Sequence, residues 1–131
     1  MILQLAKDEN LILDAGAAAI TADGAGSVAY LDLGADYASK TLYVAQLNIT
    51  AIDSTTGDED YQIDIQLSDT TSFTIVRQRS GFFLDGTDAP QPATHYISFI
   101  PKARYCRLYV DVTGTTPSVT FGGKVYLSAL G

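Results

Sequence analysis

The chain has 131 residues, 47% of them apolar, and a formal net charge of −7 from 8 basic and 15 acidic side chains. That length holds one domain with a real core, and that apolar fraction excludes compositional disorder. The charge excludes a general nucleic-acid binder, which needs a basic footprint, and disfavours an anionic membrane surface equally. Thr (14) and Tyr (8) suit pleated strands, and 13 Asp against 2 Glu and 4 Lys favours turns over helices. A single cysteine, Cys106, excludes an intrachain disulfide and fits assembly in a reducing compartment. Residues 1–13 lack a basic n-region and a long apolar run, so the mature chain is expected to begin at or near Met1.

In chain order, residues 1–27 read as an arm and edge strand ahead of a single domain over 28–131. Leu11, Ile12 and Leu13 cluster, and Gly16, Gly24 and Gly26 bracket too short an alanine run for a helix. An extended, partly flexible arm is expected there. Residues 27–33 alternate as a strand, and 42–52 form a long strand apolar on both faces at its start. The 53–60 segment, DSTTGDED, is an acidic loop. Residues 61–67 alternate most cleanly, with Ile63, Ile65 and Leu67 inward and Gln62, Asp64 and Gln66 outward. A strand is expected over 72–79, with Phe73, Ile75 and Val76 as core, followed by a long irregular connection over 80–94. Residues 95–100 form a strand ending at Pro101. Residues 102–131 read as a β-hairpin of strands 104–112 and 119–127 around the turn residues GTTPS. Seven or eight antiparallel strands of this spacing predict a β-sandwich, jelly-roll or Greek-key in arrangement.

Chemistry-bearing patterns are sparse. His95 is the only histidine and has no second His or Cys at ligand spacing, so neither a zinc site nor a nucleophile triad is expected. Asp53, Asp58, Glu59 and Asp60 lack the spacing of an EF-hand and read as a solvated loop tip. GADYASKT at 34–41 has serine where a phosphate loop needs its second glycine. Cys106 sits on the apolar face of its strand and reads as core. Phe82 and Phe83 form either an exposed contact tip or a plug at the end of the sandwich. Tyr105, Arg107 and Tyr109 make an aromatic–cationic stripe, either a second buried layer or a surface that meets a partner.

The run Arg104-Tyr105-Cys106-Arg107-Leu108-Tyr109, followed by Val112-Thr113-Gly114-Thr115-Thr116-Pro117-Ser118 and a closing strand, resembles the C-terminal end of small capsid cement (decoration) proteins of tailed bacteriophages. Ala19-Ile20-Thr21-Ala22, then Leu31-Asp32-Leu33-Gly34, resembles the N-terminal end of the same group. The resemblance implies a jelly roll that binds the outside of an icosahedral head and clamps neighbouring major capsid protein subunits. It also implies a homo-oligomer, with a dimer favoured, assembled in the host cytoplasm and carried on the virion exterior. The matching positions are an arm over 1–22 and the C-terminal hairpin.

Together these features predict a structural, non-enzymatic protein without a cofactor. Its interface candidates are Leu3, Leu5 and Leu11 in the arm, Phe82 and Phe83, and Tyr105, Arg107 and Tyr109. A carbohydrate-binding jelly roll, with Tyr105, Tyr109 and nearby Asp or Gln as a sugar platform, is the alternative. A small hydrolase on a β scaffold is a third reading, and it requires a deep pocket of converging polar groups.

Overall fold

The computed structural model describes residues 11–34 and 41–130. Leu3 and Leu5, the first ten residues of the expected arm and positions 35–40 lie outside the described residues. The strands are β1 (Ile12–Asp14), β2 (Ala19–Ile20), β3 (Gly24–Ala25), β4 (Leu31–Asp32), β5 (Leu42–Ile52), β6 (Asp60–Ser68), β7 (Gln78–Asp85), β8 (Ala93–Phe99), β9 (Tyr105–Thr113), β10 (Val119–Phe121) and β11 (Val125–Leu130).

They form two antiparallel sheets. In the first, β5 pairs β8 along one side, and along the other it pairs β11 and then β10; β1 extends β11 and β2 extends β10. In the second, β3 and β4 pair β9, β9 pairs β6, and β6 pairs β7. Three strands are interrupted: β1 continues as β2, β3 as β4, and β10 as β11. Counted that way, the first sheet has the order 1-8-3-6 and the second 2-7-4-5. That is the strand order of a jelly roll.

Alternation builds the core. Tyr61, Ile63, Ile65 and Leu67 of β6 and Cys106, Leu108 and Val110 of β9 turn inward and are fully buried against Leu47, Phe121 and Leu127 of the first sheet. The close approach of β1–β2 to the β10–β11 break depends on glycine. Gly16 has φ +75°, and a Cβ there would stand 2.0 Å from the Gly123 carbonyl oxygen. The Ala17 N–H donates to the Phe121 carbonyl across the same seam, at 2.7 Å.

Five expectations change. The C-terminal hairpin is instead a crossover: β9 lies in the second sheet and β10–β11 in the first, with 114–118 passing between them. Two strands with the same inward pattern satisfy it equally by facing each other across a sandwich, and local alternation does not distinguish the two arrangements. The strand expected over 72–79 begins only at Gln78 and runs through Asp85. Ser and Thr hydroxyls explain the delay: Ser68 Oγ donates to the Ile75 carbonyl, and Thr70, Ser72 and Thr74 link in series, which holds 69–77 as a loop. Ile75 is consequently 69% exposed instead of core. Phe82 and Phe83 accordingly lie in a strand, where alternation turns Phe82 inward and Phe83 outward. The strand expected over 27–33 is reduced to two residues, Leu31–Asp32. Finally, Asp64 and Gln66 on the outer face of β6 are buried, because that face is covered by side chains from β9, β7 and the 69–77 loop.

Within 11–27, the chain is extended but woven into the fold: β1 and β2 border the first sheet, β3 borders the second, and Leu13 is fully buried.

Candidate functional site

The outer face of the second sheet is where the chemistry-bearing side chains converge. On β9, Tyr105, Arg107, Tyr109 and Asp111 point outward in succession. Cross-strand register sets Arg107 beside Gln66 of β6, and Gln66 beside Arg79 of β7. Arg107 Nε donates to Gln66 Oε1 at 2.9 Å. Its guanidinium carbon lies 4.3 Å from the Phe73 ring centroid and 4.7 Å from that of Tyr109. Phe73 reaches this position from the 69–77 loop with φ +52°, a left-handed conformation that costs a bulky residue energy.

The arginine is therefore packed against two aromatic rings, and it borders a cavity of about 370 Å³ lined also by Gln66, Phe73, Thr74, Val76, Arg79, Tyr109 and Asp111. Burial lowers the Arg107 pKa, and the neighbouring Arg79 charge lowers it further. Among the described residues, Arg79 makes a single long ion-pair contact, 3.9 Å to the buried Asp64 carboxylate. Such a site presents a fixed guanidinium to an oxyanion or a carboxylate.

At the other end of the same stripe, Tyr105 meets Tyr30 edge-on at 5.6 Å, with Arg104 5.4 Å from its ring. Arg104 makes a two-pronged pair with Asp32, Nε to Oδ1 at 2.7 Å and Nη2 to Oδ2 at 2.9 Å. The Arg104 hydrogen bond holds the Asp32 carboxyl below its ordinary pKa.

The structure thus gathers Tyr105, Arg107 and Tyr109 on one face and adds Phe73, Gln66 and Arg79. The stripe is half-buried throughout. Phe83 lies on the same sheet two rows away and is 55% exposed. Phe82 does not join them: its ring stacks on His95 at 4.2 Å inside the open side of the sandwich. Leu11 is half-buried against the core. Phe73 was legible only as a core residue, because nothing local signals that its loop folds back over the outer face.

A second concavity of about 370 Å³ lies on the outer face of the first sheet, lined by Gln46, Asn48, Gly122, Gly123, Lys124, Tyr126 and Ser128. Its signal in the sequence is weak: amides two apart on β5, opposite a tyrosine and a serine two apart on β11.

The remaining candidates are structural. His95 is half-buried, and burial lowers its pKa. Cys106 is fully buried, which pushes its thiol up to about 12. The acidic segment is solvated at Asp58 but not at Glu59. Asp58 accepts from Thr56 Oγ1 and from the Thr115 N–H and hydroxyl, which bind the loop to the crossover. Glu59 is fully buried beneath it, with Oε1 accepting from Thr56 and Thr116 and Oε2 without a partner among the described residues. Tyr61 seals the same end, its hydroxyl donating to the Asp53 carbonyl and accepting from the Ser118 N–H. Among the described residues, no three His, Cys, Asp or Glu side chains stand close enough to hold a metal ion.

No protein-family model, curated protein or solved structure matches this chain.

Proposed function

We propose that this protein is a capsid cement (decoration) protein, which binds the outer surface of a phage head and bridges neighbouring major capsid protein subunits. The observation that carries the reading is the meeting of the two terminal segments whose sequences resemble that group. Ala19–Ile20 pairs with β10, Leu31–Asp32 pairs with β9, and Arg104 clasps Asp32. Segments from opposite ends of the chain thus pair with each other in both sheets, as expected if they belong to a single shared architecture.

The physical character of the surface supports this reading. The described part offers shallow concavities and exposed aromatic and aliphatic side chains, Tyr30, Ile75, Phe83, Tyr96 and Ile100. The packed Arg107 supplies a rigid, partly desolvated anchor of the kind that dominates protein interfaces. The chain as a whole carries a net charge of −7, which suits a basic patch on a shell. Bridging works by repetition: a modest contact at each copy, multiplied by the symmetry of the head, becomes avidity. The protein then sits on the virion exterior after assembly in the host cytoplasm, as a homo-oligomer.

The test is to add purified protein to bare heads. Saturable, stoichiometric binding that raises the temperature at which heads release DNA is expected. Heads that take up no protein overturn the reading.

A carbohydrate-binding role is the second reading, and the concavity on the first sheet favours it. Gln46, Asn48, Lys124 and Tyr126 combine amide, cationic and aromatic groups of the kind that grip a sugar. A glycan array decides between the readings: saturable sugar binding without affinity for heads replaces the first with the second.

A further inference from the structure

Strand β7 is a free edge of the second sheet. It pairs β6 without a shift from Gln78 to Asp85, and no strand among the described residues pairs its other side. Few of the usual protections of an exposed edge are present: β7 has no proline, no lysine and no bulge, and its charges are Arg79 and Asp85 alone. Arg79, Gly81, Phe83 and Asp85 share its outer face, while Ser80, Phe82 and Leu84 face the interior.

Laid antiparallel against itself about Phe82, this order is complementary to its own reverse. Arg79 falls opposite Asp85, and Gly81 falls opposite Phe83, each twice. Directly opposed residues must share a face, so the neighbouring registers are two residues away. The one centred on Gly81 puts glycine against glycine and Arg79 against Phe83. The one centred on Phe83 sets Gly81 against Asp85.

Within the bounds of β7, only the Phe82-centred register pairs opposite charges and covers each edge glycine with a ring; the Gly81-centred register reaches an opposite-charge pair only through Arg77, which lies before the strand and already pairs with Asp69. Both charged groups retain capacity for it. Asp85 uses Oδ1 for the Thr87 N–H and hydroxyl and also meets Asp60 of β6, and among the described residues Arg79 makes its one ion pair, a long contact, with Asp64. Strand β8, the corresponding edge of the first sheet, turns Thr94, Tyr96 and Ser98 outward, with no charges to select a register.

We infer that β7 is a self-pairing strand: two copies of this chain join β7 to β7 antiparallel about Phe82, making one continuous sheet across a two-fold axis. The pairing is independent of whether the protein binds a capsid. It supplies the missing hydrogen bonds of both edges and sets two Arg79–Asp85 pairs at its rim.

Sedimentation equilibrium on the purified protein tests it. The wild type is expected to be a dimer. Arg79→Asp and Asp85→Arg each replace both ion pairs by like charges and weaken dimerisation by about tenfold or more. An equimolar mixture of the two variants restores opposite charges at both positions, so it pairs again. Phe83→Ser, at a side chain the monomer leaves exposed, weakens the dimer without lowering the melting temperature of the monomer, and so guards against a folding defect in the charge variants. A wild type that stays monomeric at the highest attainable concentration overturns the inference. So does a dimer indifferent to all three substitutions, or a mixture of folded charge variants that remains monomeric.

Discussion

The Arg107 guanidinium lies 4.3 Å from the centroid of the Phe73 ring, and this contact joins the outer face of β9 to the loop between β6 and β7. Each partner constrains the other: the arginine packs against both Phe73 and Tyr109, and the loop keeps a left-handed φ of +52° at Phe73. If this face meets the capsid, Arg107→Ala should weaken binding to bare heads by about tenfold or more, as truncating an interface hot spot does. Arg107→Lys should not rescue it, because an ammonium neither stacks against two rings nor reproduces the Nε bond to Gln66. Titration of bare heads with each variant measures both effects, and an unaltered affinity for Arg107→Ala removes this face from the interface.

Cys106 provides a probe of the core. Its thiol is fully buried and raised to about 12, so thiol reagents at neutral pH should label the protein only as fast as it unfolds. Rapid labelling of native protein contradicts this placement. The neighbouring Leu108→Ala should cost about 2–5 kcal/mol, the range for truncating a buried leucine, read by denaturant unfolding.

Acid stability should be governed by the loop beside the crossover. Hydrogen bonds from the Thr115 hydroxyl, the Thr56 hydroxyl and the Thr115 N–H hold Asp58 at about 2, below the ordinary 3.8. A carboxyl whose pKa is lower in the folded chain stabilises the fold above the unfolded value, and that contribution disappears as pH falls toward the folded one. The melting temperature should therefore decline as pH is lowered through this interval, and Asp58→Asn should flatten the decline while lowering the plateau at neutral pH. Thermal melts across the interval measure it, and parallel curves for the two proteins contradict it.

Gly16→Ala should destabilise by about 1 kcal/mol or more, since alanine is strained at positive φ. The new methyl group would also strike the Gly123 carbonyl, so the loss is expected to exceed that of Gly24→Ala, where a Cβ meets nothing within 4 Å. Equal melting temperatures for the two variants would show that the seam between β1–β2 and the β10–β11 break yields freely.

Much of the architecture is written in period-two patterns. Leu42–Ile52 appears as a strand with the bounds read from its residues, and the inward set of β6 is the alternating set Ile63, Ile65 and Leu67. The burial of Cys106 follows from the same rule. The strand after β6 was misplaced because alternation of Phe73 and Ile75 with polar residues mimics a strand, whereas the Ser and Thr hydroxyls around them bond to the loop's own backbone and to one another.

The candidate site was only half legible. Tyr105, Arg107 and Tyr109 share a strand face by spacing alone, but Phe73, Gln66 and Arg79 join them through contacts across three chain segments.

By itself, then, the sequence determined an all-β sandwich, its principal strands and which side of β6 and β9 turns inward, because those follow from alternation between neighbours along the chain. Only the tertiary structure decided that the last two long segments face each other across the core instead of pairing. It also decided that a loop phenylalanine packs on Arg107, and that β7 has no second partner strand among the described residues. Each of these depends on which distant strands claim a given edge or face, a competition among non-local contacts that no local pattern encodes.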